Sequence, residues 1–208
     1  EHSPNDVLSL IPQLMALRDS PSAPVVRPQW NDTVQIKRLL DAGFHNFLIP
    51  FVQSADEARA AVAATRYPPQ GVRGLSVSQR NNKYGTVKDY FKIVNDNIAV
   101  MVQIETMTAV NAIDEICAVD GVDGIFIGPY DLSTCLGIPG QFETPVFKEA
   151  TDRILKACHD AGKLCYIFTG TTNQARDYIA QGYDGIAHNL DFNILIEAYK
   201  QVVADIRK

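Results

Sequence analysis

No apolar run in this chain approaches the roughly 20 residues that a helical membrane span requires, so no membrane partner is expected. Positive charge is also short: 19 Lys and Arg stand against 24 Asp and Glu, and the basic residues are scattered without interleaved aromatics. A nucleic-acid surface needs a concentrated basic patch, so that class of partner is excluded. The opening stretch Glu1-His2-Ser3-Pro4-Asn5-Asp6 is polar and lacks the basic-then-apolar pattern of a secretory signal. Cysteine is sparse. Cys117, Cys135, Cys158 and Cys165 form no C-x-x-C pair and no zinc spacing. Three of them, Cys117, Cys158 and Cys165, fall in apolar segments and read as buried free thiols of a reducing compartment; Cys135 reads as the more exposed one. The expected location is the cytoplasm.

Several catalytic signatures are missing as well. No G-x-G-x-x-G follows a strand-like run, and there is no phosphate-binding G-x-x-x-x-G-K-[ST]. No G-x-S-x-G elbow is present, which argues against that kind of serine hydrolase. A Schiff-base enzyme needs a lysine at a strand's carboxyl end, but Lys163 precedes its apolar run and the other lysines fall on helical or loop stretches.

What the chain does have is alternation. Short apolar runs at 23–27, 46–50, 99–105, 123–128, 164–168 and 185–188 suit strands buried on both faces of a parallel sheet. Between them lie amphipathic patterns at 32–42, 54–64, 108–119, 145–161, 172–181 and 191–206, most ending at or near a glycine. Segment 67–97 reads as a long structured loop with a helix from Thr86 onward. Six strand-helix units in a row predict right-handed crossovers and an all-parallel α/β sheet, either open and doubly wound or closed as a barrel. The missing dinucleotide fingerprint and the polar residues at strand carboxyl ends favour the barrel. Six strands are too few to close one. The 208 residues suit a single domain, residues 1–208.

Glu105 ends one apolar run and Asp131 lies three residues past the next. Neighbouring parallel strands are about 4.8 Å apart, so the two carboxylates can converge. Two hard oxygen ligands with open positions suit Mg²⁺, Mn²⁺ or Co²⁺. Gln103 points to the same face as Glu105. The plain alternative is that Asp131 caps a turn and Glu105 caps the helix that follows. Arg27, at the end of another run, can meet a carboxylate or enolate bidentately, or can be an ordinary rim salt bridge. His2 can be a general base or a frayed surface residue. His45 and His159 read as surface residues, and His188 faces the strand-end rim.

These residues sit in longer stretches with a recognisable order. Glu1-His2-Ser3-Pro4-Asn5-Asp6, VVRPQWNDTVQIKRLLDAG (25–43), ATRYPPQGVRG (64–74), VQIET (102–106) and GVDGIFIGPYDLS (121–133) together resemble the HpcH/HpaI family of metal-dependent (class II) pyruvate aldolases. Later residues match mainly in their β-α rhythm.

The resemblance implies a (β/α)₈ TIM barrel of the pyruvate/phosphoenolpyruvate type. The family's first β-α-β precedes the Glu-His motif, so the domain is expected to be N-terminally incomplete here. It further implies a divalent ion, Mg²⁺ before Mn²⁺ or Co²⁺, on Glu105 and Asp131. Arg27 would bind the keto oxygen and His2 would take part in proton transfer. Gln103, Gly128, Pro129 and Tyr130 would line the pyruvate, with the Gly128-Pro129 backbone on its carboxylate. Asp41 would reach a neighbouring subunit's site in a homo-oligomer, usually a hexamer that exchanges its last helix. The implied reaction cleaves a 4-hydroxy-2-oxo acid to pyruvate and an aldehyde. A 2-dehydro-3-deoxy aldarate is the preferred substrate class, because LSVSQRNNKYGTVKDYF (75–91) is most like the glucarate-type members. The rivals are a 4-hydroxy-2-oxoheptanedioate or citramalyl-type lyase or a related carbon–carbon bond former on the same metal site, and a truncated non-catalytic paralogue that binds pyruvate-like ligands. Two departures from the glucarate type stand out: Tyr130 in place of a small residue, and IAHNLD (186–191) in place of a V-A-V-G-x-D-like run.

Overall fold

The computed structural model describes residues 1–208. Its elements run α1 (Val7–Ala16), β1 (Val25–Val26), α2 (Thr33–Ala42), β2 (Asn46–Ile49), α3 (Ala55–Thr65), α4 (Tyr90–Ile93), β3 (Ala99–Ile104), α5 (Met107–Asn111), α6 (Ile113–Cys117), β4 (Gly124–Ile127), α7 (Pro129–Cys135), α8 (Pro145–Asp160), β5 (Leu164–Thr169), α9 (Thr172–Gln181), β6 (Gly185–His188) and α10 (Asp191–Ile206). The strands pair in sequence order, every neighbour parallel, in one curled six-stranded sheet with β1 and β6 as its edges. No helix is long and apolar enough to cross a membrane.

The alternation of each strand sorts its residues between two environments. Phe47, Val100, Val102, Ile104, Ile125, Ile127, Cys165 and Ile167 lie on the outer face and are fully buried in one continuous apolar cluster with the helices. The register aligns Gln103, Phe126, Tyr166 and Gly185 as one layer of the opposite, inner face. That layer explains two glycines. A Cβ on Gly185 would lie 2.2 Å from the Tyr166 ring, and one on Gly124 would lie 3.1 Å from it. The phenol therefore occupies the room of three side chains.

Most expected elements are present within a residue or two, and four readings are corrected. The stretch 108–119 is two short helices, because Ala112 leaves helical geometry (ψ 9°) and serves as the cap between them. In 67–97 the helix begins at Tyr90 rather than Thr86 and is preceded by a 3₁₀ turn at Arg80–Asn82. Helix α1 was not anticipated because Pro12 interrupts its pattern. Asp6 and Ser9 start it with a reciprocal cap, and Val7, Leu10, Ile11 and Leu14 pack on the core at helical spacing. His45 is half-buried rather than a surface residue, and burial beside Arg73 holds its imidazole below its ordinary pKa. The thiols fall as expected: Cys117, Cys158 and Cys165 are buried and Cys135 is exposed, all four free.

The inner-face layer makes a packing prediction. Gly185→Ala should destabilise the fold by about 1–3 kcal/mol through overpacking. In a Tyr166→Ala background the same change should cost almost nothing. Denaturant melts of the two single variants and the double variant measure this as strong non-additivity.

Candidate active site

The carboxyl ends of β1, β3 and β4 bring the polar residues together. Arg27 follows β1 directly, and its Nη1 donates to Gln103 Oε1 at 3.4 Å. Gln103 is buried in β3 and its Nε2 donates to Glu105 Oε1 at 2.9 Å. The other Glu105 oxygen accepts the Phe51 N–H at 2.9 Å. Across from it, Asp131 stands in the first turn of α7, which follows β4. On the far side, Arg27 Nε lies 3.2 Å from the Glu1 carboxylate, and His2 Nε2 lies 3.8 Å from the other Glu1 oxygen. Arg27 thus makes the rim ion pair that its position suggested and also reaches Gln103. A polar chain runs from Glu1, with His2 beside it, through Arg27 and Gln103 to Glu105, whose carboxyl feels Asp131 nearby.

The capping alternatives have different occupants. Thr106, not Glu105, caps α5, through a side-chain bond to the Ala109 N–H. Pro129 starts α7 at a position that needs no N–H, and Gly128 is its N-cap. Asp131 is therefore a first-turn residue rather than the cap of α7. The Gly128 N–H is taken by the Ile104 carbonyl at 3.1 Å and Pro129 has none, so this turn's free donors are the amides of Tyr130 and Asp131.

Glu105 is 4% exposed. Burial, and then the charge and contact of Asp131, push its carboxyl up to about 7; the Phe51 N–H works in the opposite direction. Two carboxyl groups held together this way resist sharing negative charge. A divalent cation between them removes that conflict, so the donor set fits a hard metal ion. Nowhere in the chain do three or more His, Cys, Asp or Glu side chains converge as a metal cage. A cation held by two carboxylates would leave its other positions open. Gly128 keeps the space open: a Cβ there would lie 2.8 Å from Glu105 Oε1 and 2.9 Å from Gln103 Nε2.

Not every expected residue joins this group. Asp41 lies in the last turn of α2, at the end of the sheet where strands begin, and is paired with the fully buried Arg73 at 3.0 Å. Asn81 also donates to it, at 3.3 Å. His188 bonds Thr169 at 3.0 Å, on the outer face of the sheet with Thr169 rather than in the inner layer. Tyr130 is half exposed over the mouth, its ring edge-on to Phe142 at 5.1 Å and tilted against Phe168 at 6.1 Å. Two contributors went unread in the sequence. Glu1 was legible as the other half of the Glu-His pair, whereas Phe51 acts through its backbone and leaves no side-chain signal.

A curled parallel sheet with acids, an amide and a guanidinium gathered at its strand ends has the architecture of an α/β enzyme. The model of the HpcH/HpaI aldolase/citrate lyase family matches residues 1–198, and the chain belongs to that family. It is an aldolase, a carbon–carbon lyase. It is 48% identical over 208 residues to the 5-keto-4-deoxy-D-glucarate aldolase of Shigella dysenteriae serotype 1, covering 100% of this chain and 81% of the relative. The enzyme of the same name from Salmonella arizonae is 49% identical with the same coverage. A crystal structure of an HpcH/HpaI aldolase/citrate lyase family protein from Burkholderia cenocepacia J2315 superposes with a TM-score of 0.97 at 36% identity, covering 100% of this chain and 83% of that one.

A cation held at Glu105 would compete with a proton, because burial and Asp131 raise this carboxyl. Below about 7 the carboxyl is protonated and the cation must displace that proton. Mn²⁺ affinity for the metal-free protein, measured by calorimetry, should therefore rise between about pH 5 and about pH 7 and then level off. Gly128→Ala should weaken Mn²⁺ binding by about tenfold or more, about 1.4 kcal/mol, with the circular dichroism spectrum unchanged.

Proposed function

We propose that this chain is a divalent-metal-dependent aldolase that cleaves a 4-hydroxy-2-oxo acid, preferably a 2-dehydro-3-deoxy aldarate, to pyruvate and an aldehyde. The observation that carries this reading is the polar chain from Glu1 through Arg27 and Gln103 to Glu105, facing Asp131 at one mouth. Relatives named 5-keto-4-deoxy-D-glucarate aldolase, 48–49% identical over the whole chain, support the substrate class. A six-carbon 2-oxo diacid cut between C3 and C4 gives pyruvate and a three-carbon aldehyde acid.

Glu105 and Asp131 would hold the cation, Mg²⁺ by preference with Mn²⁺ or Co²⁺ as substitutes, and when bound it supplies Lewis acidity toward the oxo oxygen. Arg27 faces the same oxygen. As the C3–C4 bond breaks, its electron pair moves to C3 and negative charge builds on that oxygen. A half-buried guanidinium, held by Gln103 and Glu1, stabilises this charge without reorganising. Gln103 orients Arg27 and Glu105 at once. The Tyr130 and Asp131 amides are the donors suited to the substrate's carboxylate, and Gly128, Pro129 and Tyr130 shape that wall. His2, through a water, takes the C4 hydroxyl proton, with the Glu1 carboxylate 3.8 Å from its Nε2.

We extend the same reading to assembly, fold and location. The cleft of about 610 Å³ between the sheet edges is lined by Val25 and Arg27 on one side and Leu190 and Phe192 on the other. The unpaired sheet edges β1 and β6 suit two further staves of a (β/α)₈ barrel, with residues 1–208 as part of that one domain. Helix α10 has no buried residue and exposes Phe192, Leu195, Ile196, Tyr199 and Val203. An apolar helix in water suits exchange into a second copy, which makes the protein a homo-oligomer, hexameric by family likeness. Asp41, on the sheet end remote from Arg27, is placed to serve another copy's site rather than its own. Four free thiols suit a reducing compartment, the cytoplasm.

Pyruvate release from 5-keto-4-deoxy-D-glucarate with Mg²⁺ tests the activity. Chelation should abolish it and Mn²⁺ should restore it; turnover that survives complete metal removal overturns the metal assignment. Arg27→Ala should lower kcat/KM by about 10³-fold. His2→Ala should lower kcat by about 10²–10⁴-fold with oxalate binding kept. A separate measurement addresses assembly: Leu195→Glu should reduce the mass seen by light scattering to smaller species, while an unchanged mass argues against α10 as the joint.

A further inference from the structure

The turn after β2 carries a backbone anomaly at the edge of the site. Phe51 has φ +56°, the left-handed region, which is unfavourable by roughly 1–2 kcal/mol for a bulky L-residue. Nothing about chain reversal requires it, since the turn continues into α3 under an ordinary Ser54 cap. The consequence is local and directional: the Phe51 N–H is aimed at Glu105 Oε2 at 2.9 Å. The next donor along the turn, the Val52 N–H, reaches the Gln103 carbonyl at 3.2 Å. Gln53 follows, accepting the Thr106 hydroxyl at 3.0 Å. Three consecutive residues are thus bonded to the end of β3 and the residues after it. The phenyl ring packs on Trp30, centroids 5.7 Å apart, which couples the turn after β2 to the turn after β1.

The second Glu105 oxygen bonds Gln103, so the two donors together orient both oxygens of one carboxylate. Side-chain donors can swing away, but a main-chain N–H within a turn bonded at each residue cannot. We propose that Phe51 is a positioning residue for Glu105: its left-handed backbone holds the N–H that orients this carboxylate toward Asp131. The inference deepens the metal-site reading and rests on it for its consequence in binding.

Two variants separate backbone from side chain. Phe51→Gly adopts φ +56° freely and keeps the N–H while losing the ring. Phe51→Val is β-branched, disfavours that conformation and withdraws the N–H. Mn²⁺ alone is titrated into each metal-free protein, and Glu105 is followed by carboxyl ¹³C NMR against pH. Phe51→Gly should bind Mn²⁺ within about threefold of the parent and titrate like it. Phe51→Val should bind about tenfold more weakly and show its Glu105 midpoint moved upward, because a donor to the charged form is gone. The proposal is overturned if Phe51→Val matches the parent in both readouts, or if Phe51→Gly is impaired as much as Phe51→Val. Should Phe51→Val fail to fold, the Phe51→Gly result decides alone: a midpoint moved upward overturns the proposal, and an unmoved one supports it. Should Glu105→Gln leave Mn²⁺ affinity untouched, the metal reading falls, while the NMR arm still decides the role of Phe51.

Discussion

Two carboxyl groups that repel one another stand at the ends of adjacent strands, one of them buried, and the mouth of the sheet is organised around that conflict. Glu105 cannot ionise easily beside Asp131, and it cannot retreat, because Gln103 and the Phe51 N–H each hold one of its oxygens. Such an arrangement is poor for stability and good for gripping a cation. The surrounding details serve it. Gly128 gives up a side chain so that the carboxylate and the amide fit. Thr106 takes over the capping of α5, and Gln53 braces Thr106 in turn.

Charge of the other sign is rationed in the same place. Arg27 is the guanidinium that joins this group, bound between Glu1 and Gln103. It balances part of the acid without collapsing onto Glu105, because the Gln103 amide stands between them. An arginine in direct contact with Glu105 would satisfy the carboxylate outright. The interposed amide keeps the cationic and anionic halves of the mouth separate.

Much of this was legible in the residues. Runs such as AVMVQI and GIFI, apolar on both faces, read as interior strands of a parallel sheet because a two-sided burial leaves no polar alternation. The breaks into polarity at Arg27, Glu105 and Asp131 fall where strands end, and a parallel sheet lines those ends up side by side. What stayed hidden depended on geometry with no side-chain signature. Ala112 is a good helix former, yet the helix breaks there. Pro12 conceals a real helix whose apolar spacing at 7, 10, 11 and 14 was available to be read. Arg73 lies in a loop stretch with no periodicity, and its complete burial against Tyr67 and Asp41 follows from the long loop folding back under α2.

By itself, then, the order of apolar and polar residues determined the strand and helix sequence and the parallel topology, because each rests on local periodicity, and the specific motifs carried the resemblance to the family. Tertiary structure alone decided which polar groups meet: that Arg27 reaches Gln103 across 76 positions, that Asp41 faces away from them, and that Phe51 lends a backbone N–H to Glu105. Those contacts join residues far apart in sequence, and they depend on strand register and on one left-handed backbone angle, neither of which residue type encodes.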